Sequence, residues 1–297
     1  GYANTSIGLN SLYNNTTGSS NTATGSFALT SNTTGIQNTA LGHNSLYSNT
    51  SGNYNVATGY FALYNNTTGF NNVAIGNRSM QFNTTGIANT AVGYRSLTSN
   101  TSGLDNTAIG REALYSSSTS NFNTGVGSLT LRANTTGEGN TALGFQALYS
   151  AETADNNTAI GRTSMLNTTT GILNSALGSN SLYANTTGSN NTAIGSYALR
   201  SNSTGTDNTA VGLNANYNNS TASYNTSIGS TALVATTTGG GNTAIGYSSM
   251  SQNTSGSSNS AIGLLSLYFN SIGNSNVSFG NQTLNMNTSG SFNVALG

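Results

Sequence analysis

The chain has 297 residues, of which 34% are hydrophobic and 4% charged, and its six Arg balance six acids to a formal net charge of zero. That balance leaves no electrostatic footprint for nucleic acid or an anionic membrane, and the lack of Cys removes disulfides, thiolate metal sites and Cys nucleophiles. Proline is also absent and the apolar residues are evenly scattered, which fits neither a thick globular core nor charged, proline-rich disorder.

The first repeat sets the pattern. Asn4 opens it, Thr5-Ser6-Ile7 reads as a short strand, Gly8 as a corner, the stretch ending in Leu12-Tyr13 as a second short strand, and Asn15-Thr16-Thr17-Gly18 as a turn. The corner Gly then recurs at 25, 42, 59 and on to 297 at intervals of 17 without a slip, and the residue four places before it is always Asn. Equivalent residues at 17-residue steps form a column, named after its first member. The Ser6 column is Ala in fourteen of eighteen repeats, the Leu12 column is Leu or Met except at Asn216, and the Gly18 column is Gly in fourteen of seventeen, the others being Ser120, Ala154 and Ala222.

A fixed period without insertions places successive units equivalently in space, each burying its apolar side against its neighbours. Helical repeats need roughly 30 residues or more, so this period selects strands. The expected fold is all-β: a parallel β-solenoid, or β-roll, of 17-residue repeats over 1–297, one continuous array read as an excerpt of a longer chain because Gly1 stands in mid-pattern. The Asn4 column should form a ladder of side-chain amides, and the Gly columns should supply positive φ at corners. Ile7, Ile75 and Ile109, with Leu12, Leu46 and Leu114, are expected to point inward, while Tyr60 and Phe61 face outward. No apolar run approaches the roughly 18 residues of a membrane helix, so no membrane span is expected in this segment.

A second signal lies at twice the period. The Asn10 column is polar in alternate repeats (Asn10, Asn44, Arg78, Glu112) and mostly apolar between them (Phe27, Phe61, Leu129), so a full turn of 34 residues is the alternative to 17. The two differ at Glu112, which a 17-residue coil stacks beside Arg95 and a 34-residue coil beside Arg78. The short coil is preferred because one Ile and one Leu can close a narrow core.

The units Asn72-Val73-Ala74-Ile75-Gly76 and Asn140-Thr141-Ala142-Leu143-Gly144 resemble the head repeats of trimeric autotransporter adhesins (YadA-like) and repeat arrays of bacterial or phage fibres. The resemblance covers the whole chain but only about five positions of each repeat. It implies a β-roll whose chains associate in threes into a surface head that binds host or matrix.

Candidate sites are few. His43 is the only His and has no companion carboxylates or thiolates, so neither a metal site nor a triad is expected. The acids fall in different repeats, with Glu152 and Asp155 the only close pair, read as a solvated turn. Gly125-Val126-Gly127 and Gly239-Gly240-Gly241 resemble fragments of phosphate loops but open no helix and read as repeat corners. The recurrent chemical feature is the Asn-x-Ser/Thr acceptor pattern at Asn15, Asn32, Asn49, Asn66, Asn83, Asn100, Asn134, Asn185, Asn202, Asn219, Asn253 and Asn287, expected on an exposed edge where it could carry glycans. Turn chemistry alone also favours Asn, Thr and Gly there.

Together these features suggest a structural or adhesive segment of an extracellular or cell-surface fibre, not an enzyme, with no cofactor. Its expected partners are copies of itself, as a fibre or homotrimer, and glycans or surface receptors, with no nucleic acid. A carbohydrate- or ice-binding solenoid is the alternative, with Phe27, Tyr60, Phe61 and Tyr94 available to stack on sugars.

Overall fold

A computed structural model describes all 297 residues. The chain forms two compact units, Gly1–Thr153 and Ala154–Gly297. Each is a parallel β-solenoid of 17-residue coils with no helix, hence none long and apolar enough to cross a membrane. The first unit runs from β1 (Thr5–Ile7) to β9 (Thr141–Leu143) and the second from β10 (Thr158–Ile160) to β18 (Val294–Leu296), every strand being three residues long. Within each unit successive strands pair in register, Thr5 opposite Thr22 and Ser175 opposite Thr192, so the coil is 17 residues and not 34.

The second expected strand, ending in Leu12-Tyr13, is instead a run of turns. The reason is backbone sign. The Ala3, Asn10 and Leu12 columns are left-handed in coil after coil, as at Gln37 (φ 55°), Phe27 (φ 61°) and Leu29 (φ 51°). Such a φ costs a bulky L-residue on the order of 1–2 kcal/mol. Its return is hydrogen bonding along the stack: Gln37 N–H donates to Ser19 O at 3.0 Å, Phe27 N–H to Leu9 O at 2.7 Å and Leu29 N–H to Ser45 O at 3.0 Å. No backbone donor in these turns can be left unpaired cheaply.

A three-residue strand has one inward side chain, its centre. That is the Ser6 column, and its members from Ala23 to Ala261 are almost wholly buried. The flanking positions face outward, which overturns the expectation for the Ile residues: Ile7, Ile75 and Ile109 are 61%, 40% and 39% exposed. Leu46 and Leu114 are fully buried as expected, and Leu12, in an end coil, is partly so. The apolar core is therefore Leu or Met packed on Ala, joined by the Ser11 column, whose small residues are buried too. Ser hydroxyls there bond inside the coil, as Ser79 Oγ does to Ala91 O at 3.0 Å.

The other half of the interior is amide. In the Asn4 column, Asn38 donates from its backbone N–H (2.9 Å) and from Nδ2 (3.2 Å) to Asn21 Oδ1, and its Nδ2 also donates to Gly52 O at 2.8 Å. The Asn15 column forms a second ladder that sequence reasoning missed. Asn49 Nδ2 donates to Asn32 Oδ1 at 2.9 Å and to the same Gly52 O at 3.0 Å. One Gly carbonyl thus receives both ladders and ties the coil across its width. The Gly18 column does not serve positive φ: a Cβ at Gly52 would lie 2.4 Å from Asn49 Oδ1 and 2.3 Å from Gly69 O. Only the Gly8 column is the positive-φ corner, with φ of 134° at Gly93.

Two of the three departures from the Gly18 column fall where the Asn of this contact is replaced, whereas Ala222 stands beside a retained Asn219, whose Nδ2 donates to Ala222 O at 3.0 Å. Ser120 faces Ser117 rather than Asn, the two hydroxyls bonded to each other, and Ala154 belongs to the coil where Ala151 replaces Asn. Where an Asn precedes the loss of an amide in the Asn15 column, its carbonyl is stranded. Asn100 Oδ1, followed by Ser117, Asn134 Oδ1, followed by Ala151, and Asn219 Oδ1, followed by Thr236, are buried without a hydrogen bond.

Candidate functional surface

The outer face of the strands carries two ranks, the Thr5 column and the Ile7 column. The Ile7 column is apolar through most of both units. In the first, Leu41 (49% exposed), Ile75, Ile109 and Leu143 alternate with partly buried Thr58, Val92 and Val126. In the second, Leu177, Ile194, Ile228, Ile262 and Phe279 are exposed. Strands about 4.7–4.9 Å apart set the members of each rank side by side within each unit, leaving an apolar rank, broken by Thr24 and Thr58 in the first unit, open on the surface.

A second surface is formed by the Asn10 and Tyr13 columns. Residues twenty apart meet on it: Thr30 Oγ1 donates to Asn10 O at 3.0 Å, Asn285 Nδ2 to Leu265 O at 3.2 Å, and the Tyr197 and Tyr217 rings lie 6.3 Å apart. Phe27, Leu129 and Tyr197 of the Asn10 column each precede a Tyr twenty residues on, whereas Phe61 precedes Gln81 and the polar Asn44 precedes Tyr64. The polarity of this column alternates at 34 residues while the coil itself stays at 17.

In the first unit the aromatic residues gather. His43 is exposed and stacks on Tyr60 at 5.5 Å, Tyr60 and Phe61 are 4.3 Å apart, Phe61 and Tyr64 4.6 Å, and Tyr47 lies parallel to Tyr64 at 5.1 Å. Phe27, His43, Asn44, Tyr47 and Tyr64 border a shallow depression of about 230 Å³. Phe27, Tyr60 and Phe61, named above as available to stack on sugars, are engaged with His43, and Tyr60 with Phe61.

Two Arg are sandwiched between Tyr rings of the Tyr13 column. Arg132 lies 5.1 Å from the Tyr115 centroid and 5.9 Å from that of Tyr149; Arg200 lies 5.2 Å from Tyr183 and 5.5 Å from Tyr217. Arg132 is also neutralised: its Nε donates to Glu112 Oε2 at 2.8 Å. This bond outweighs the cost of partial burial and raises the Arg132 pKa above its ordinary value. Glu112, set one coil after Arg95 as the 17-residue coil requires, pairs most closely with Arg132 twenty residues ahead and also lies 3.8 Å from the neighbouring Arg111, with neither Arg95 nor Arg78 as a partner.

The glycan acceptors are not on an exposed edge. Asn32, Asn49, Asn66, Asn83, Asn100, Asn134, Asn185, Asn202, Asn219 and Asn253 are fully buried, and only Asn15 and Asn287, in end coils, are partly open. The Nδ2 that would carry the sugar is the ladder donor, as in Asn66 to Asn49 Oδ1 at 2.8 Å. A glycan there would remove a rung and open the interior, so the Asn-x-Ser/Thr pattern is a fold signature. The Thr and Ser after these Asn form the outer edge, bonding along it as Thr33 Oγ1 does to Thr50 O at 3.0 Å. No three His, Asp or Glu side chains converge as metal ligands would. Gly127, which ends one expected loop-like stretch, is a positive-φ corner, whereas Gly239 is in the Gly18 column and Gly241 in the Ala3 column. No protein-family profile matches the chain, and no significantly similar sequence is found among curated proteins.

Proposed function

We propose that this chain is a structural and adhesive segment of an extracellular or cell-surface fibre, and that it associates laterally with copies of itself, as a homotrimer, through the Thr5 and Ile7 columns. The observation that carries this reading is the exposed apolar Ile7 column. Nothing inside a coil needs Ile there, because the strand centre and the Leu12 column already close the core. Its exposure is explained when a partner with the same spacing covers it. Long stacks of a thin coil also gain from such cover, since one Leu and two small residues per coil bury little apolar area against about 1–2 kcal/mol of backbone entropy per residue.

Sedimentation equilibrium tests the assembly. The purified chain, of 30.1 kDa, should sediment at three times its monomer mass at micromolar concentration, whereas a monomer persisting into the high micromolar range would overturn lateral association.

A further inference from the structure

We infer that Arg200 and the Tyr197–Tyr217 wall beside it form a binding site for an acidic saccharide, a sugar bearing a carboxylate or a sulfate. The inference goes beyond the fibre reading and does not depend on self-association.

Two equivalent positions share an Arg between two Tyr rings and differ in whether a carboxylate reaches that Arg. Arg132 and Arg200 occupy the same column, and each is held between two Tyr rings. Twenty residues before Arg132 stands Glu112, which binds its Nε at 2.8 Å. Twenty residues before Arg200 stands Asn180, whose shorter amide is turned elsewhere: its Oδ1 accepts from Thr163 Oγ1 at 2.8 Å and its Nδ2 donates to Ser179 Oγ at 3.0 Å. Arg200 Nε is consequently buried without a hydrogen bond, and no carboxylate forms an ion pair with its guanidinium. A guanidinium fixed by aromatic faces and left unneutralised is a preorganised anion site.

The surroundings select the ligand. Arg200 opens on a depression of about 540 Å³ lined by Tyr197, Asn214, Tyr217, Asn218 and Val234. The Tyr faces and Val234 suit the C–H face of a pyranose ring, the two carboxamides offer donor and acceptor to neighbouring hydroxyls, and the cation requires an anionic substituent. The equivalent place near Arg132 is closed to this chemistry by its own carboxylate.

The test is isothermal titration calorimetry of the full chain with tetragalacturonate, a sulfated tetrasaccharide, the neutral methyl ester of the first, and tetraglutamate. One of the two acidic sugars should bind, and which one identifies the anion. Arg200→Gln should weaken that binding at least tenfold. So should Asn180→Glu, which supplies the missing internal carboxylate; its backbone (φ 56°) matches that of Glu112 (φ 54°), so the fold should accept it. Asn180→Gln should bind as the parent does. Equal binding of the neutral ester or of tetraglutamate, binding unchanged in Asn180→Glu, or no binding of either acidic sugar would overturn the inference.

Discussion

At Asn216 two preferences of one side chain oppose each other. Its backbone is left-handed (φ 50°), which Asn tolerates better than Leu, yet it is fully buried in the Leu12 column with neither Nδ2 nor Oδ1 hydrogen bonded. An unpartnered buried amide costs about 1–3 kcal/mol, and Leu holds the same φ in neighbouring coils, so burial should win. Asn216→Leu is expected to stabilise the chain by roughly 1–3 kcal/mol in urea unfolding; a lower midpoint would show that the amide has a partner. Thr236 offers the complementary repair. Asn219 Oδ1 lacks its donor there, Asn253 Nδ2 reaches Thr236 Oγ1 only at 3.5 Å, and Gly239 already leaves room for an Asn. Thr236→Asn should rejoin the ladder and raise stability by about 1 kcal/mol, with unchanged or reduced stability counting against the ladder as a source of it.

At the scale of the strand and its corner, space is set by the next coil. A Cβ on Gly93 would sit 2.6 Å from Gly110 O, and its φ of 134° lies in a region open essentially to Gly alone. Gly93→Ala should therefore cost about 3 kcal/mol or more, read from thermal or denaturant unfolding, and a loss below 1 kcal/mol would mean that the corner yields. Much of this element was legible. The 17-residue spacing of Gly and Asn gave the coil, and the Asn4 ladder followed from an invariant polar residue in a chain with few charges. What misled was the rule that the largest apolar residue of a short strand is the buried one. In Asn72-Val73-Ala74-Ile75-Gly76 the buried residue is Ala74, because a narrow coil leaves only a methyl's space beneath the strand; where Gly125 gives up even that, Thr130 stands in the Ser11 column opposite. The Asn15 column misled in the other direction. A turn-like Asn-Thr-Thr-Gly reads as surface, and nothing in one repeat reveals that its amide turns inward to the Gly three residues later.

At the scale of the whole molecule, the chain combines low charge, two buried amide ladders and an outward apolar column, and the proposed assembly is what would cover that column. The side-chain pairing twenty residues apart was hidden from the sequence for a related reason: it depends on the offset between two turn columns, which only the left-handed backbone fixes. The central claim is that Ile7-column residues serve assembly while Leu12-column residues serve folding. The direct measurement is light-scattering mass with circular dichroism melting on Ile109→Asp and Leu114→Asp, two apolar residues five positions apart and 39% and 0% exposed. Ile109→Asp should keep its β spectrum and most of its stability while losing assembled mass. Leu114→Asp should fail to fold cooperatively, because it buries an unpaired carboxylate. Unfolding in Ile109→Asp with a cooperative fold retained in Leu114→Asp, or full assembled mass in Ile109→Asp, would contradict the account.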